Sequence, residues 1–362
     1  MNEHHPDHPH HGAASSVDRR GFLTAGAKAA AGLAAGGALL GATPGLAAAD
    51  RARMSSVGIL RKPPAQITFA ATFNPSELVL WNTLIGQFQA QNPTIKVNLL
   101  TITANGGWGQ YAEKVISLVA GGRPLDVIRI ATEASRLWGA KNLALPLDPF
   151  ITRDAHHMED YLNDVSPKLT DVFRYKGQLL GLPFDWNNNI IWYNTAVFKK
   201  AGITPPGPNW SADEFVSVAK KVRATGAYGI NLWANGTFGI VDWMYAAGGG
   251  LYNHDWTKSN ATDPANVRAM QFLQDLIWTD KVAPRPGAPD FPLFEAGRVG
   301  MINAGRWPLA VFDQAKFYTY DIQYMPRLSP QRKTIFGVGA LPIYKMLLAN
   351  LDRALLACRC HA

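Results

Sequence analysis

The chain has 362 residues, of which 47% are hydrophobic and 17% charged, and a chain of this length usually divides into two lobes. Its formal net charge is +8, but Lys and Arg are scattered and form no stripe of the kind that binds nucleic acid. Both cysteines fall within the last five residues, which excludes a disulfide, a cysteine-bound metal or a nucleophilic thiol elsewhere in the chain.

The amino terminus has the pattern of an export signal. Residues 18–23, DRRGFL, match the twin-arginine pattern, and an Ala/Gly/Leu-rich stretch follows as far as about Leu46. Residues 47–49, AAA, then offer an A-x-A cleavage site. We therefore expect residues 1–49 to be a twin-arginine signal peptide and residues 50–65 to be a flexible lead. The histidines before the twin arginine are expected to leave with the signal peptide rather than to bind metal.

Strand and helix patterns alternate from Gln66 onward. Asn74 and Glu77 have the spacing of a capping box, and apolar residues after them recur at helical spacing. Strands are predicted at residues 67–70, 95–99 and 126–130, with helices between them. Repeated βα units predict a mainly parallel sheet, whose ligands bind at the carboxyl ends of the strands.

A second α/β block follows the first. Extended segments are predicted at residues 181–184 and 189–193, and a helix opens at Ser211. Further helices are predicted at residues 266–279 and 292–296. The Gly-rich residues 246–250 lack the spacing of a phosphate-binding loop, which favours a turn or a helix end there.

Several short motifs occur in a fixed order along these blocks. They are FxxQNPTIKV at 88–97, GRPLDVI at 122–128, YKGQLLGLP at 175–183, WYNxxxF at 192–198, NWxxxEF at 209–215, FxxGRVGM at 294–301, GRW at 305–307 and GVGALPIYK at 337–345. Taken together, they resemble family 1 extracellular solute-binding proteins over about residues 66–345. Relatives in that family include the maltose-binding and multiple-sugar-binding proteins of ABC importers.

The resemblance implies an α/β, two-lobed periplasmic-binding-protein-like fold of type II, with lobes joined by a hinge of crossing segments that closes around the ligand. The first lobe is expected at residues 66–178, with about 319–345 returning to it, and the second at 179–318. It further implies a monomer without cofactor, and the twin-arginine pattern predicts its export by the twin-arginine machinery to the periplasm or the cell exterior. There it would bind a sugar or oligosaccharide and deliver it to the membrane permease of an ABC importer.

The family's ligand site combines aromatic rings that stack on sugar faces with polar groups that pair with hydroxyls. The matching positions in this chain are Phe73, Asn74, Trp108, Glu133, Asp185, Trp186, Asn187, Trp243, Arg306 and Trp307. The alternative to ligand contact is packing in the core for each of these aromatic residues. For each acid it is a position on the surface or a role as a helix cap. Trp81 is expected in the core, and the pair His156–His157 is expected on the solvated surface without a metal.

Two other functions stay open at this point. The ligand could be a charged solute, such as a phosphate ester or a polyamine, because a fold does not determine its ligand. Glu133 and Asp185 could instead supply the carboxyl pair of a secreted glycoside-active enzyme. Against an enzyme, the chain has no nucleophile-elbow or zinc-helix motif, and the resemblance implies binding without turnover.

The carboxyl terminus departs from the family pattern after Lys345. Residues 346–362 form an aberrant Leu/Ala-rich tail, and its CRCHA ending offers too few ligands for a complete metal site. We expect a reading frame that is frameshifted or truncated near Lys345. The C-terminal helices of the resembling fold would then be missing, and the product would be poorly soluble or would unfold without a sharp transition.

Overall fold

The computed structural model describes residues 65–104, 107–233, 237–253, 256–285 and 290–345. They all belong to one unit of the chain, Pro63–Ala362, and the other unit, Met1–Lys62, lies outside the described residues. The predicted signal peptide and the tail at 346–362 therefore also lie outside them, and the expectations for these segments stay predictions.

The strands of the described chain run in the following order. They are β1 (Ala65–Ala71), β2 (Ile95–Thr101), β3 (Val127–Ile128), β4 (Ile130–Ala131), β5 (Arg174–Tyr175), β6 (Gln178–Leu179), β7 (Leu182–Asn188), β8 (Ile190–Asn194), β9 (Tyr228–Asn231), β10 (Val299–Ala304), β11 (Tyr320–Gln323) and β12 (Phe336–Leu341).

The helices alternate with these strands, and a π-helical turn, Thr237–Val241, stands directly before α9. They are α1 (Pro75–Gln91), α2 (Gly107–Ala120), α3 (Thr132–Ala140), α4 (Asp148–Arg153), α5 (Ala155–Asp164), α6 (Pro167–Asp171), α7 (Thr195–Lys200), α8 (Ala212–Ala224), α9 (Asp242–Ala246), α10 (Pro264–Trp278), α11 (Asp290–Glu295) and α12 (Pro308–Ala315).

Helix α1 begins where its sequence predicts. The Asn74 side chain accepts a hydrogen bond from the Glu77 N–H at 2.8 Å, and the Glu77 carboxylate accepts one from the Asn74 N–H at 3.1 Å. Because these reciprocal bonds satisfy two N–H groups that the helix leaves open, the predicted capping box is confirmed. Ser211 and Glu214 form the same arrangement at α8.

The first lobe contains α1–α6 and two larger three-stranded sheets. The parallel sheet has the order β2-β1-β3, and the antiparallel sheet has the order β4-β12-β7. The single strand predicted at residues 126–130 is in fact two, because β3 pairs with β1 while β4 pairs with β12. Arg129 lies at the break, and one buried cluster, which includes Trp81, connects both sheets.

The second lobe contains α7–α12 and a mixed sheet of order β11-β8-β10-β9. Strand β8 is antiparallel to β10 and β11, and β9 is parallel to β10, so the sheet of this lobe is mixed. Strand β11 belongs to this sheet, and the nearby Met325 lies in a buried cluster of this lobe. The return to the first lobe therefore occurs at β12, later than the predicted residue 319.

Two crossing segments join the lobes. The first leads from β7 into β8 through Asn189, and the second leads from Thr334 and Ile335 into β12. The Asn189 N–H donates to the Ile335 carbonyl at 3.2 Å, so the two segments touch where they cross. The second segment starts within the lobe of α7–α12, and β12 then pairs with β7 in the other lobe. Residues on both crossings are thus held close to groups from either lobe.

Candidate functional site

Arg129 is the centre of a charged cluster in the first lobe. Its side chain is only 6% exposed, and its Nη2 atom lies 3.0 Å from Glu77 Oε1 and 3.5 Å from Asp185 Oδ2. Its Nη1 atom donates to the Thr72 carbonyl at 2.9 Å. A buried guanidinium needs such partners, because an unpaired charge in this position would be strongly destabilising.

Three aromatic rings surround the same guanidinium. Its central carbon lies 5.5 Å from the ring centre of Phe73, 5.2 Å from that of Trp108 and 5.3 Å from that of Phe184. The structure thus brings together three predicted site residues, Phe73, Trp108 and Asp185, around an arginine that the sequence motifs do not single out. Asn74, next to Phe73, uses its side-chain oxygen to cap α1.

Asp185 connects this cluster to the second lobe. Its Oδ2 atom lies 3.9 Å from Nη2 of Arg306, whose side chain is largely exposed, and its Oδ1 atom accepts a hydrogen bond from the Gly339 N–H at 2.9 Å. Burial raises the pKa of Asp185, and the nearby Arg129 and Arg306 charges and the Gly339 bond oppose that rise. A Cβ at Gly339 would stand 2.3 Å from Asp185 Oδ1, so only glycine allows this approach.

Asn187 and Trp307 form a second group of predicted site residues. A Cβ built on Gly305 would meet Asn187 Oδ1 and Trp307 Cζ3, each at 2.3 Å, so both side chains lie against the same glycine. Within the described structure, Asn187 Oδ1 and Trp307 Nε1 have no hydrogen-bond partner, although both atoms are buried. Asn187 thus has an open acceptor and Trp307 an open donor.

Aromatic rings of the second lobe support Trp307. Phe238 lies edge-on to it at 5.3 Å between ring centres, and Trp233 lies at 5.8 Å. The sequence motifs include neither ring, nor Asn303, whose side chain donates to the Phe238 carbonyl at 3.2 Å. Phe238 lies in the π-helical turn, which has no periodicity that a sequence pattern could reveal.

Glu133 is separate from both groups. It lies in the first turn of α3, where its carboxylate is open to solvent yet surrounded closely enough for desolvation to raise its pKa. A side chain in a cleft has this combination of access and crowding. No hydrogen bond or ion pair among the described contacts joins Glu133 to Asp185.

Trp186 points into a different space from Trp307. Its ring is 53% exposed, and with Asp185 it lines a cavity of about 820 Å³ between β7, β12 and helices α5–α6. Carboxylates of Asp160 and Asp164 lie on the helical side of the same cavity. Trp186 is thus accessible to a ligand, but it does not share the environment of Asn187.

Trp243 occupies the core of the second lobe, contrary to the predicted ligand contact. It is 1% exposed and packs against Phe215 and Phe272, each at 5.6 Å between ring centres. Helix α9 turns this ring inward, toward α8 and α10, so almost none of its surface is exposed. The expectations for Trp81 and for the exposed pair His156–His157 agree with the structure, although the histidines lie on α5 rather than in a loop.

The described residues contain no cluster of three or more potential metal ligands among His, Cys, Asp and Glu. None of their helices is long and apolar enough to cross a membrane. The site is thus a set of aromatic and polar side chains that two α/β lobes bring together at their crossing strands. That combination defines the class of solute-binding proteins with two lobes and a hinge.

The chain belongs to the bacterial extracellular solute-binding protein family, whose profile matches residues 74–341. This confirms the family inferred from the motifs. Membership in a family of binding proteins also agrees with the expectation of binding without turnover. Among curated relatives, an arabinooligosaccharide-binding protein of Bacillus subtilis is 24% identical over 279 residues, 76% of this chain and 60% of the relative. The chain spans about 60% of the length of the curated relatives it matches first.

Solved structures share the fold. An ABC substrate-binding protein of Listeria monocytogenes in complex with cycloalternan superposes with a TM-score of 0.73 at 24% identity, covering 82% of this chain and 75% of that one. The UgpB protein of Mycobacterium tuberculosis in complex with glycerophosphocholine superposes with a TM-score of 0.72 at 21% identity, covering 82% and 74%. These likenesses confirm the predicted two-lobed α/β fold.

Proposed function

We propose that this protein is the substrate-binding component of an ABC-type importer and captures a sugar or oligosaccharide between its lobes by hinge closure. The ligand would lie against Trp307 and Asn187 from the second lobe and the first crossing, and against Asp185 and Arg306 where the lobes meet. The permease of the importer is the proposed partner, and the proposed binding unit is a monomer.

The observation that carries this proposal is the pair of open polar atoms beside an aromatic wall. Trp307 Nε1 offers a donor and Asn187 Oδ1 an acceptor, and neither has a partner in the described structure. A sugar hydroxyl both donates and accepts, so hydroxyl groups of one ligand can satisfy both kinds of atom. The indole ring beside them suits the weakly polar face of a sugar.

The charges of the site support a neutral ligand over a phosphate ester. Arg129 already contacts the carboxylates of Glu77 and Asp185 and is enclosed by rings, so it has little capacity left for an anion. Arg306 is exposed but lies 3.9 Å from the same Asp185 carboxylate. A phosphate group would have to displace or compete with these carboxylates, whereas hydroxyls can bond to them.

The proposal includes export. Residues 18–23 have the twin-arginine pattern and residues 47–49 the cleavage pattern, which supports translocation by the twin-arginine machinery and a mature protein in the periplasm or outside the cell. Mass spectrometry of the exported protein is expected to show an amino terminus near Asp50. Recovery of an intact segment from Met1 to Ala49 on exported protein would contradict signal cleavage.

Titration calorimetry tests the ligand class. The full chain is titrated with a panel of mono- and oligosaccharides, and in parallel with phosphate esters and polyamines. Micromolar binding of at least one neutral saccharide, and none of the charged solutes, is the expected result. Tight binding of a phosphate ester or a polyamine, with no saccharide bound, would replace the sugar assignment by a charged ligand.

A further inference from the structure

Trp256 has a backbone conformation that a bulky side chain rarely adopts. Its φ is 60°, in the left-handed region, where the Cβ of a tryptophan lies too close to the backbone. The ring is 52% exposed, so burial offsets little of this cost. Strained backbone of this kind occurs mainly at positions that serve binding or movement, and it persists only where the surrounding contacts hold it in place.

Contacts of that kind surround Trp256. Its N–H donates to the Asn253 carbonyl at 3.0 Å. The Asn253 side chain accepts the N–H groups of Thr257 and Lys258 at 2.9 and 3.1 Å. The residues on either side of Trp256 are therefore held by one asparagine.

The Trp256 turn, defined here as residues 252–253 and 256–259, is fixed to the second lobe. Asn266 on α10 holds the chain before and after it. The Asn266 side chain accepts the Gly250 N–H at 3.0 Å, and it donates to the carbonyls of Gly250 and Asn260 at 2.8 and 2.6 Å. The turn therefore moves with the second lobe.

Arg136 contacts this turn from the first lobe. It lies on α3, whose residues Ala134 and Trp138 belong to the buried cluster of that lobe. Its guanidinium carbon lies 5.3 Å from the centre of the Trp256 ring, on which Tyr252 also stacks. Within the described part of the chain, no carboxylate forms a salt bridge with Arg136. A cation over an indole ring is attracted by its π electrons, so this contact draws the two lobes together.

The lobes can rotate where the second crossing leaves the second lobe. The carboxylate of Asp242, buried at the start of α9, accepts the Ile335 N–H at 2.9 Å and lies 3.0 Å from the Thr334 hydroxyl. Strand β12 begins at the next residue and pairs with β4 and β7 in the first lobe. A rotation at this link would separate Arg136 from Trp256, and their attraction would be lost because it extends to only about 6 Å.

We propose that Arg136 and Trp256 form a clasp between the lobes, a pair of positioning residues that do not touch the ligand but hold the closed arrangement. Because the clasp contact exists only while the lobes are together, it shifts the population toward the closed state and slows the release of a bound saccharide. The strained turn keeps the indole outside the core and presents it to the opposite lobe. The effect on saccharide release rests on the proposed function, whereas the contact itself does not.

A double-mutant cycle tests the clasp against direct stacking of Trp256 on a sugar. Affinity and dissociation rate are measured with the saccharide that binds most tightly in the calorimetric panel. Either Arg136→Ala or Trp256→Ala removes the whole clasp, so each variant and the double variant should lose the same factor in affinity, about two- to fivefold. The loss should appear as faster dissociation, with association unchanged. Losses that multiply in the double variant, or wild-type dissociation in both single variants, would overturn the clasp.

The pair of Arg285 and Trp278 is the matched control. Its guanidinium carbon lies 5.2 Å from the ring centre, but both residues belong to the second lobe. Arg285→Ala should therefore leave the dissociation rate unchanged. Arg136→Lys keeps a cation without the flat guanidinium, and its dissociation rate should lie between those of the wild type and Arg136→Ala.

Crosslinking tests the contact without any ligand. Arg136→Cys and Trp256→Cys are combined in the full chain with Cys358→Ser and Cys360→Ser, and the protein is treated with a short bis-maleimide. Mass spectrometry of the monomer should find the two new cysteines linked. Absence of this link would overturn the clasp. If the link forms and no saccharide of the panel binds, the proposed function fails while the contact between the lobes is confirmed.

Discussion

Arg129 Nη2 lies 3.5 Å from Asp185 Oδ2. This contact connects the chain between β3 and β4 to β7, the strand that leaves the first lobe. Asp185 Oδ2 also lies 3.9 Å from Arg306 Nη2 in the second lobe. One carboxylate thus faces cations from both lobes, and a rotation of the lobes would change its distance to Arg306 but not to Arg129. Arg129 is thus enclosed by its partners, whereas the Arg306 side chain is largely exposed.

Replacing Arg129 with Met should destabilise the protein by about 3 kcal/mol or more. The change leaves the Glu77 and Asp185 carboxylates close together without the cation between them, and loss of one partner of a buried ion pair costs this much. Urea unfolding followed by tryptophan fluorescence measures the effect. Arg153→Ala breaks the exposed pair with Asp154 and should change stability by no more than about 0.5 kcal/mol. Equal effects of the two variants would contradict a buried role for Arg129.

Replacing Trp243 with Ala tests whether this residue is core or ligand platform. The ring is enclosed by Phe215 and Phe272, so its removal should lower the free energy of unfolding by about 3–5 kcal/mol. The protein that remains folded should still bind saccharide with wild-type affinity, which calorimetric titration measures. A stably folded variant that no longer binds saccharide would instead support the ligand contact that the sequence predicts.

Much of the first lobe could be predicted because its signals are local. The cap at Asn74 and the strand β1 follow from patterns within a few residues of one another, and the parallel pairing of β1 with β2 and β3 follows from the regular alternation of strands and helices. Arg129 could not be assigned in this way. Its role depends on Glu77 and Asp185, which lie 52 and 56 residues away, and the apolar run around it indicates only a buried strand.

The second lobe was predicted less well for a related reason. Helix α9 has five residues, too few for a periodicity to show which face is buried, and so Trp243 could be taken for a cleft residue. Strand β11 is also short, and its pairing with β8 depends on a partner about 130 residues earlier. The resemblance to the family identified Arg306 and Trp307 as candidate site residues. None of the family motifs includes Phe238, Asn303 or the buried Asp242.

Trp307→Phe separates the hydrogen bond of the indole from its stacking. Phenylalanine keeps an aromatic ring against Phe238 but removes the Nε1 donor, so saccharide affinity should fall about fivefold, the equivalent of one hydrogen bond worth about 1 kcal/mol. Trp307→Ala should cost about 1–3 kcal/mol because the stacking surface is lost too. Calorimetry measures both, with Trp278→Phe as a control at an exposed tryptophan of the same lobe. Unchanged binding by Trp307→Ala in a folded protein would assign the ring to packing.

Gly305→Ala should weaken saccharide binding by displacing the two side chains next to this glycine, while the fold is retained. Its backbone is not in the left-handed region, so alanine is compatible with the main chain, but the new Cβ would stand 2.3 Å from both Asn187 Oδ1 and Trp307 Cζ3. No real Cβ contact is that short, so the carboxamide and the indole must both move away from their present positions. A displacement of about 1 Å is enough to break paired hydrogen bonds to one ligand, and we expect at least a tenfold loss of saccharide affinity. Gly207→Ala is the matched control, because its Cβ would meet nothing within 4 Å. Wild-type affinity in a folded Gly305→Ala protein would show that the ligand does not use Asn187 and Trp307 together.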